Sequence, residues 1–397
     1  MMFFYFLILV MPLIKHPLLG YMFGSLTVFK YIGAACFIYA LIYLGFRLGY
    51  PVYLRSLQAR FFVLLYIIAT ISYFTKSVKN SELEVSPFFS YTSFVLLLFI
   101  TVTVVDSVRR LRWVVFFIIG SADLASLYVL REWQKYHGIS KDFRPGWVTG
   151  DPNYFTVSAL IALPMAFYFF LGLKRQSGRL FCIGSLCLTM AAVTVAASRG
   201  GFLGLMLAFL FVIWNTKHRV RNIAIVATVV LSLGMAVPRS PLKRAFNPNS
   251  DDMKGVHARL IGWRAALRMI QKHPLMGIGL GNFKNSVTDY EVDEKVTNLA
   301  HNCYLEIPAE SGLPALFLFL GILYTTYRSL GRVRTSSAQG GVPFLQHVAL
   351  GLQAAILGAA IALFFVSAQY TKLFWLAVFL SIPLAALAKK ALTFKHA

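Results

Sequence analysis

Apolar runs long enough to cross a bilayer recur along this chain from one end to the other, and they leave few folds open. A helix needs about 20 predominantly apolar residues to traverse the hydrocarbon. Inside lipid only helices and closed barrels satisfy their own backbone polar groups. The runs lack the alternation of barrel strands, so the expected fold is all-α, a polytopic membrane protein of about 12 transmembrane helices with one long external loop. Candidate spans are 31–46, 61–74, 87–105, 113–130, 154–172, 180–197, 201–214, 222–237, 313–327, 346–366 and 371–388. Residues 2–29 are interrupted by Pro12, Lys15, His16 and Pro17 and read as one further span, though two short ones fit as well. Charged residues make up 13% of the chain, against about 25% in soluble domains. The first apolar stretch has no A-x-A-like site and is followed by further spans, so no cleaved leader is expected.

A net charge of +23 raises nucleic acid as a partner, but the distribution argues otherwise. Alternate loops carry Arg47, Arg55 and Arg60; Arg109, Arg110 and Arg112; Lys174, Arg175 and Arg179; Lys217, Arg219 and Arg221; Arg328, Arg332 and Arg334; and Lys389, Lys390 and Lys395. Basic residues in short loops mark the cytoplasmic side. Topology accounts for them, and no nucleic-acid partner is expected. The loops 75–86, 131–153, 198–200, 238–312 and 367–370 then lie outside the cytoplasm, away from free nucleotide donors. This divides the chain into N-terminal spans (1–153), central spans (154–237), a large external loop (238–312) and C-terminal spans (313–397). The loop is expected to fold back onto the membrane. Three of the four cysteines lie in apolar runs without metal-ligand spacing, so neither a disulfide framework nor a zinc site is expected. Asp251 and Asp252 read as solvated neighbours in a polar loop.

Four constellations fall on the external side. Ser198-Arg199-Gly200-Gly201 places an arginine where two apolar runs nearly touch. An arginine at that depth either serves function or snorkels to phosphates, and the glycines would let a ligand approach the backbone. In 256–272 the helical period aligns Arg259 with Trp263, Ala266, Leu267 and Ile270, and puts Arg264, Arg268 and Lys272 opposite. A cation on an apolar stripe wants an anion, either a protein carboxylate or a phosphate. The run from His273-Pro274 through Gly277, Gly279 and Gly281 to Phe283 reads as an irregular turn, or as a backbone nest for phosphate through Gly279. His301-Asn302, followed by Glu306 and Glu310, sits at the mouth of a span, where a histidine suits a general base or a group that orients a hydroxyl. Asp151-Pro152 reads chiefly as a helix cap.

These residues give the chain a resemblance to the O-antigen ligase and polymerase family of bacterial envelope proteins. Arg199 to Leu203 meets its Arg-x-x-x-Leu pattern, and His301, Asn302 and Gly312 meet His-Asn-x9-Gly. The Arg before a Trp, the HPLMGIGLGNF stretch and DPNYF at 151–155 are also similar. Ala315 departs from the Gly, Thr or Tyr often found there. The likeness is strongest from about 150 to 327. The resemblance implies a metal-independent, inverting glycosyltransferase without a cofactor, in the bacterial inner membrane with its site on the periplasmic side. Its donor would be a glycan on undecaprenyl pyrophosphate. Its acceptor would be a lipid A core sugar, another glycan or a protein side chain. Arg199 and Arg259 would hold the pyrophosphate and His301 would serve the acceptor hydroxyl. Asn302, Glu306, Gly279 and Asp151 would be weaker substrate contacts, with membrane lipids around. A polymerase or a protein O-glycan ligase fits the same motifs. A transporter fits less well, because the charges gather at one face and no internal repeat is seen.

Overall fold

The computed structural model describes residues 1–13, 28–45, 55–76, 87–136, 143–146, 151–216, 240–246, 250–291 and 299–396, with short pieces between 219 and 228. Among these residues the chain is helical and has no strand. In order come α1 (Met2–Val10), α2 (Val28–Gly45), α3 (Leu57–Thr75), α4 (Pro87–Val104), α5 (Val108–Tyr136), α6 (Pro152–Gly172), α7 (Gln176–Ala196) and α8 (Arg199–Trp214). There follow α9 (Pro241–Phe246), α10 (Ser250–Lys272), α11 (Phe283–Tyr290), α12 (Cys303–Ser311), α13 (Leu313–Gln339), α14 (Pro343–Ala362) and α15 (Lys372–His396). Among the described residues eight helices are long and apolar enough to cross a membrane: α3 to α7 and α13 to α15. Lys30–Leu44 of α2 and all of α8 are shorter apolar helices. The larger number of spans expected from the sequence is not reached among the described residues. The candidate 222–237 lies for the most part outside them, as does the break at Lys15 to Pro17.

Local signals set where the helices begin. Asp151 accepts the Asn153 N–H at 2.7 Å and Pro152 opens α6, Ser198 caps α8, and Asn302 caps α12. Packing then fixes how they cross. Helix α14 lies against α6, α8 and α13. A Cβ on Gly204 would stand 2.5 Å from Gly358 O, so α8 and α14 touch backbone to backbone as small residues allow in lipid. Trp375 of α15 is fully buried among Phe62 of α3, Phe94 of α4, Phe319 of α13 and Phe379. Removing such a ring costs about 3–5 kcal/mol. The outward faces are apolar too, as with Leu64, Ile67 and Phe74 of α3, which suits a lipid surround.

The two ends of the bundle differ chemically. At one end the Arg112 guanidinium lies 4.9 Å over the Phe344 ring and Arg334 donates to Asn215 Oδ1 at 3.1 Å. These join the starts of α5 and α14 to the ends of α8 and α13. At the other end meet the start of α6, the α7–α8 turn, α12 and residues 363–371.

Candidate functional site

The α7–α8 turn is the first component of this second end. Ala197 closes α7 in the left-handed region, at φ 53°. Ser198 accepts the Gly201 N–H at 3.2 Å and donates to Asn153 Oδ1 at 2.7 Å, which ties the start of α8 to the start of α6. Two positive helix ends therefore converge where Arg199 begins α8. The glycines after it leave no room for a ligand, contrary to the sequence expectation. A Cβ on Gly200 would meet Phe365 at 2.3 Å, and one on Gly201 would meet Thr156 at 2.1 Å. They are small so that α8 can press against α6 and the turn after α14. The last carbonyls of α7 are also taken up: Arg144 Nε donates to Ala196 O at 3.3 Å, and the buried Arg244 of α9 donates to Ala197 O.

The second component is α10. Its buried face is Ile261, Ala265, Ala266 and Met269, set against Ile278, Phe283, Val287, Ala300 and Ala309. This face is rotated from the stripe expected from the sequence. Trp263 and Ile270 are only partly buried, and Leu267 is exposed. The reason is that α10 is apolar on two sides, so the period alone marks no single inward direction. Arg259 stands at the edge of the buried face, on the Trp263 side. The Trp263 indole donates to Ala300 O at 2.9 Å, next to His301. Burial, with the nearby cations Arg199 and Arg244, lowers the pKa of Arg259, while Asp151 opposes the shift. Arg264 and Arg268 lie on another face, half exposed, 3.7 and 3.2 Å from Glu291. Lys272 lies over the Tyr290 ring.

His301 is the third component. It adopts φ 47°, a conformation L side chains seldom take, and its Nδ1 is buried without a hydrogen-bond partner. Burial first, and then the Arg259 charge, hold its pKa below the ordinary histidine value, with Asp151 acting in the opposite sense. The imidazole is therefore neutral at pH 7.

The structure thus brings Arg259 within reach of the charges of Arg199 and Asp151, and His301 within reach of those of Arg259 and Asp151. The remaining candidates have structural partners. Asn302 spends its side-chain oxygen capping Tyr304 N at 3.0 Å. Glu306 is buried and accepts from Ser367, Gln369 and the Ala300 backbone. Glu310 is buried and accepts from Tyr370 at 3.2 Å and from the backbone of Gly281 and Phe283. Gly279 gives its N–H to Glu310 O at 3.0 Å, and Ile278 gives its own to Ala309 O at 2.9 Å. Those two amides of the glycine run are engaged by α12, so the run is a docking strip more than a phosphate nest. Glycine is required at two points of this contact: Gly277 at φ 65° and Gly312 at φ 84° each face backbone at under 2.5 Å from where a Cβ would stand. Sequence reasoning missed Arg244, because a six-residue helix gives no period from which to tell that its arginine is buried. Among the described residues no group of three or more His, Cys, Asp or Glu is placed to hold a metal ion.

The family model described as O-antigen ligase matches residues 183–320 of this chain. That stretch carries Arg199, Arg259 and His301, together with α9 to α12. A comparison with curated proteins finds no match.

Proposed function

We propose that this chain, whose residues 183–320 match the family model described as O-antigen ligase, transfers a glycan from undecaprenyl pyrophosphate to an acceptor hydroxyl at the external face of the bacterial inner membrane. The O-antigen-to-lipid-A-core reaction is the reading preferred. The observation that supports it is that Arg259 lies within range of the Arg199 charge and His301 within range of the Arg259 charge, the three coming from separate parts of the chain. Among the described residues the charges acting on Arg259 are those of Arg199, Arg244 and Asp151, and an arginine is suited to binding an anion. Two guanidinium groups can each grip a pyrophosphate bidentately and stabilise it as negative charge develops on leaving. The acceptor oxygen attacks the anomeric carbon from the face opposite the pyrophosphate. The sugar–phosphate bond breaks with its electron pair on the pyrophosphate, and the configuration inverts. A neutral His301 accepts the hydroxyl hydrogen bond and takes the proton late, because the Arg259 charge disfavours an imidazolium. The same charge returns that proton readily to solvent or to the departing phosphate.

Glycan analysis of a strain lacking the protein tests the reading. Lipid-linked polymer accumulating without attachment is the expected result. Accumulation of single unpolymerised units would reassign the chain to polymerisation. Normal glycans on both lipid and acceptor would remove it from this chemistry.

A further inference from the structure

Helix α10 has a second apolar surface that the transfer reaction does not use. Met253, Val256, Leu260 and Leu267 recur at helical spacing on one stripe, facing away from the buried residues Ile261, Ala265 and Met269. Leu260 is 48% and Leu267 50% exposed, and Leu275, just past the helix, is 70% exposed. The stripe is bounded on one side by Trp263 and Arg259. On the other side stand exposed His257, Arg264 and Arg268.

Two observations say what covers it. The first is continuity with the lipid-facing belt. The Leu313 N–H donates to Pro274 O at 2.7 Å, which fastens the end of α10 to the start of span α13. Phe317, Leu320 and Tyr324 recur along α13 and are exposed, as a span presents to acyl chains. Leu275 follows Pro274 at this junction and is exposed as well. The second is height. Arg259 feels the charges of Arg199, the first residue of α8, and Asp151, the cap of α6, so α10 at Arg259 lies near the ends of those helices. A helix at that level with an apolar stripe and a basic flank has the composition of one lying in a membrane interface.

We infer that α10 is immersed in the phospholipid leaflet on the site's side of the membrane, its Met253–Leu267 stripe among acyl chains and its His257, Arg264 and Arg268 flank at anionic headgroups. Arg259, at the stripe's other border, then stands at headgroup depth, where the phosphates of a lipid-borne donor travel. The inference rests on the membrane reading of the spans, and only its last consequence rests on the proposed transfer.

The test uses the full chain in nanodiscs of phosphatidylcholine and phosphatidylglycerol. In a Cys187→Ala background, the other three cysteines being buried, spin labels are placed through Leu260→Cys, Leu267→Cys and, for comparison, Asp289→Cys on α11. Immersion predicts that labels at 260 and 267 relax with oxygen and are shielded from a water-soluble nickel chelate, at depths of about 5–10 Å below the headgroups. Nickel access at both sites equal to that at 289 would overturn the inference. So would dipolar broadening between protomers, which would mean a second copy covers the stripe. Because the readout needs no turnover, immersion without transfer activity would count against the proposed function alone, and transfer by a protein with a wet stripe against this inference alone.

Discussion

His301 holds a backbone conformation that costs an L residue about 1–2 kcal/mol, and it buries a ring nitrogen with no partner. Strain of this kind persists where the surroundings over-determine it, and it gathers at functional sites. Two substitutions separate the strain from the chemistry. His301→Ala and His301→Gly should both lower transfer by about 10²–10⁴-fold. In thermal unfolding the glycine variant should be the more stable of the two by about 1 kcal/mol, since it alone is relieved at positive φ. Equal stabilities would mean the backbone is not strained there. The arginines form a second residue-scale series. Arg259→Lys should transfer poorly because the planar fork is lost, whereas Arg268→Ala, removing a half-exposed partner of Glu291, should keep near-full activity and change stability by less than about 1 kcal/mol. Activity lost in Arg268→Ala but kept in Arg259→Lys would move the phosphate site to the other face of α10.

At the scale of elements, local signals were readable from the residues and tertiary ones were not. Asp151-Pro152 is a capping signal that acts within a turn of chain, so sequence placed that helix start, whereas Asn302, expected as a substrate contact, caps α12. Gly200 and Gly201 looked like space for a ligand, but Phe365 and Thr156 fill it, and no short motif says which distant side chain will. Arg259 lies apart from the exposed pair Arg264 and Arg268, yet the buried face proved rotated because Leu260 and Leu267 are apolar for a different reason from Ile261 and Met269. The glycine strip from Gly277 to Gly281 clamps α10 to α12, and Ser72 of α3 donates to both Met276 O and Glu310 O across the seam. Gly277→Ala and Gly312→Ala should each destabilise the protein by more than about 1 kcal/mol, since each adds a carbon against backbone and strains a positive φ. Detergent-solubilised melting curves unchanged in both would show that the strip is not a clamp.

Over the whole molecule, the buried carboxylates beneath the site set a pH dependence. Burial raises Glu306 to about 7 and Glu310 to about 8, Glu310 being pushed further by the charge of Glu306. A raised carboxylate pKa contributes stability that is fully present below the unfolded value, near 4.5, and is lost as pH rises through the folded one. The melting temperature should therefore fall between about pH 5 and pH 8, and Glu310→Gln should flatten that slope. A wild-type curve already flat over this range would show that the pair is not protonated in the fold. The same seam bears on how the protein is made. Cys303 gives its N–H to Leu363 O, Glu306 is held by Ser367 and Gln369, and Trp375 secures Gln369 O, so the support under His301 comes from residues synthesised well after it. A nascent chain that has exposed Arg199, Arg259 and His301 to the membrane surface still lacks that support until its last two spans have been inserted. Premature termination before residue 363 would yield a product with all three residues and an unassembled site, so that biogenesis itself withholds activity from unfinished copies.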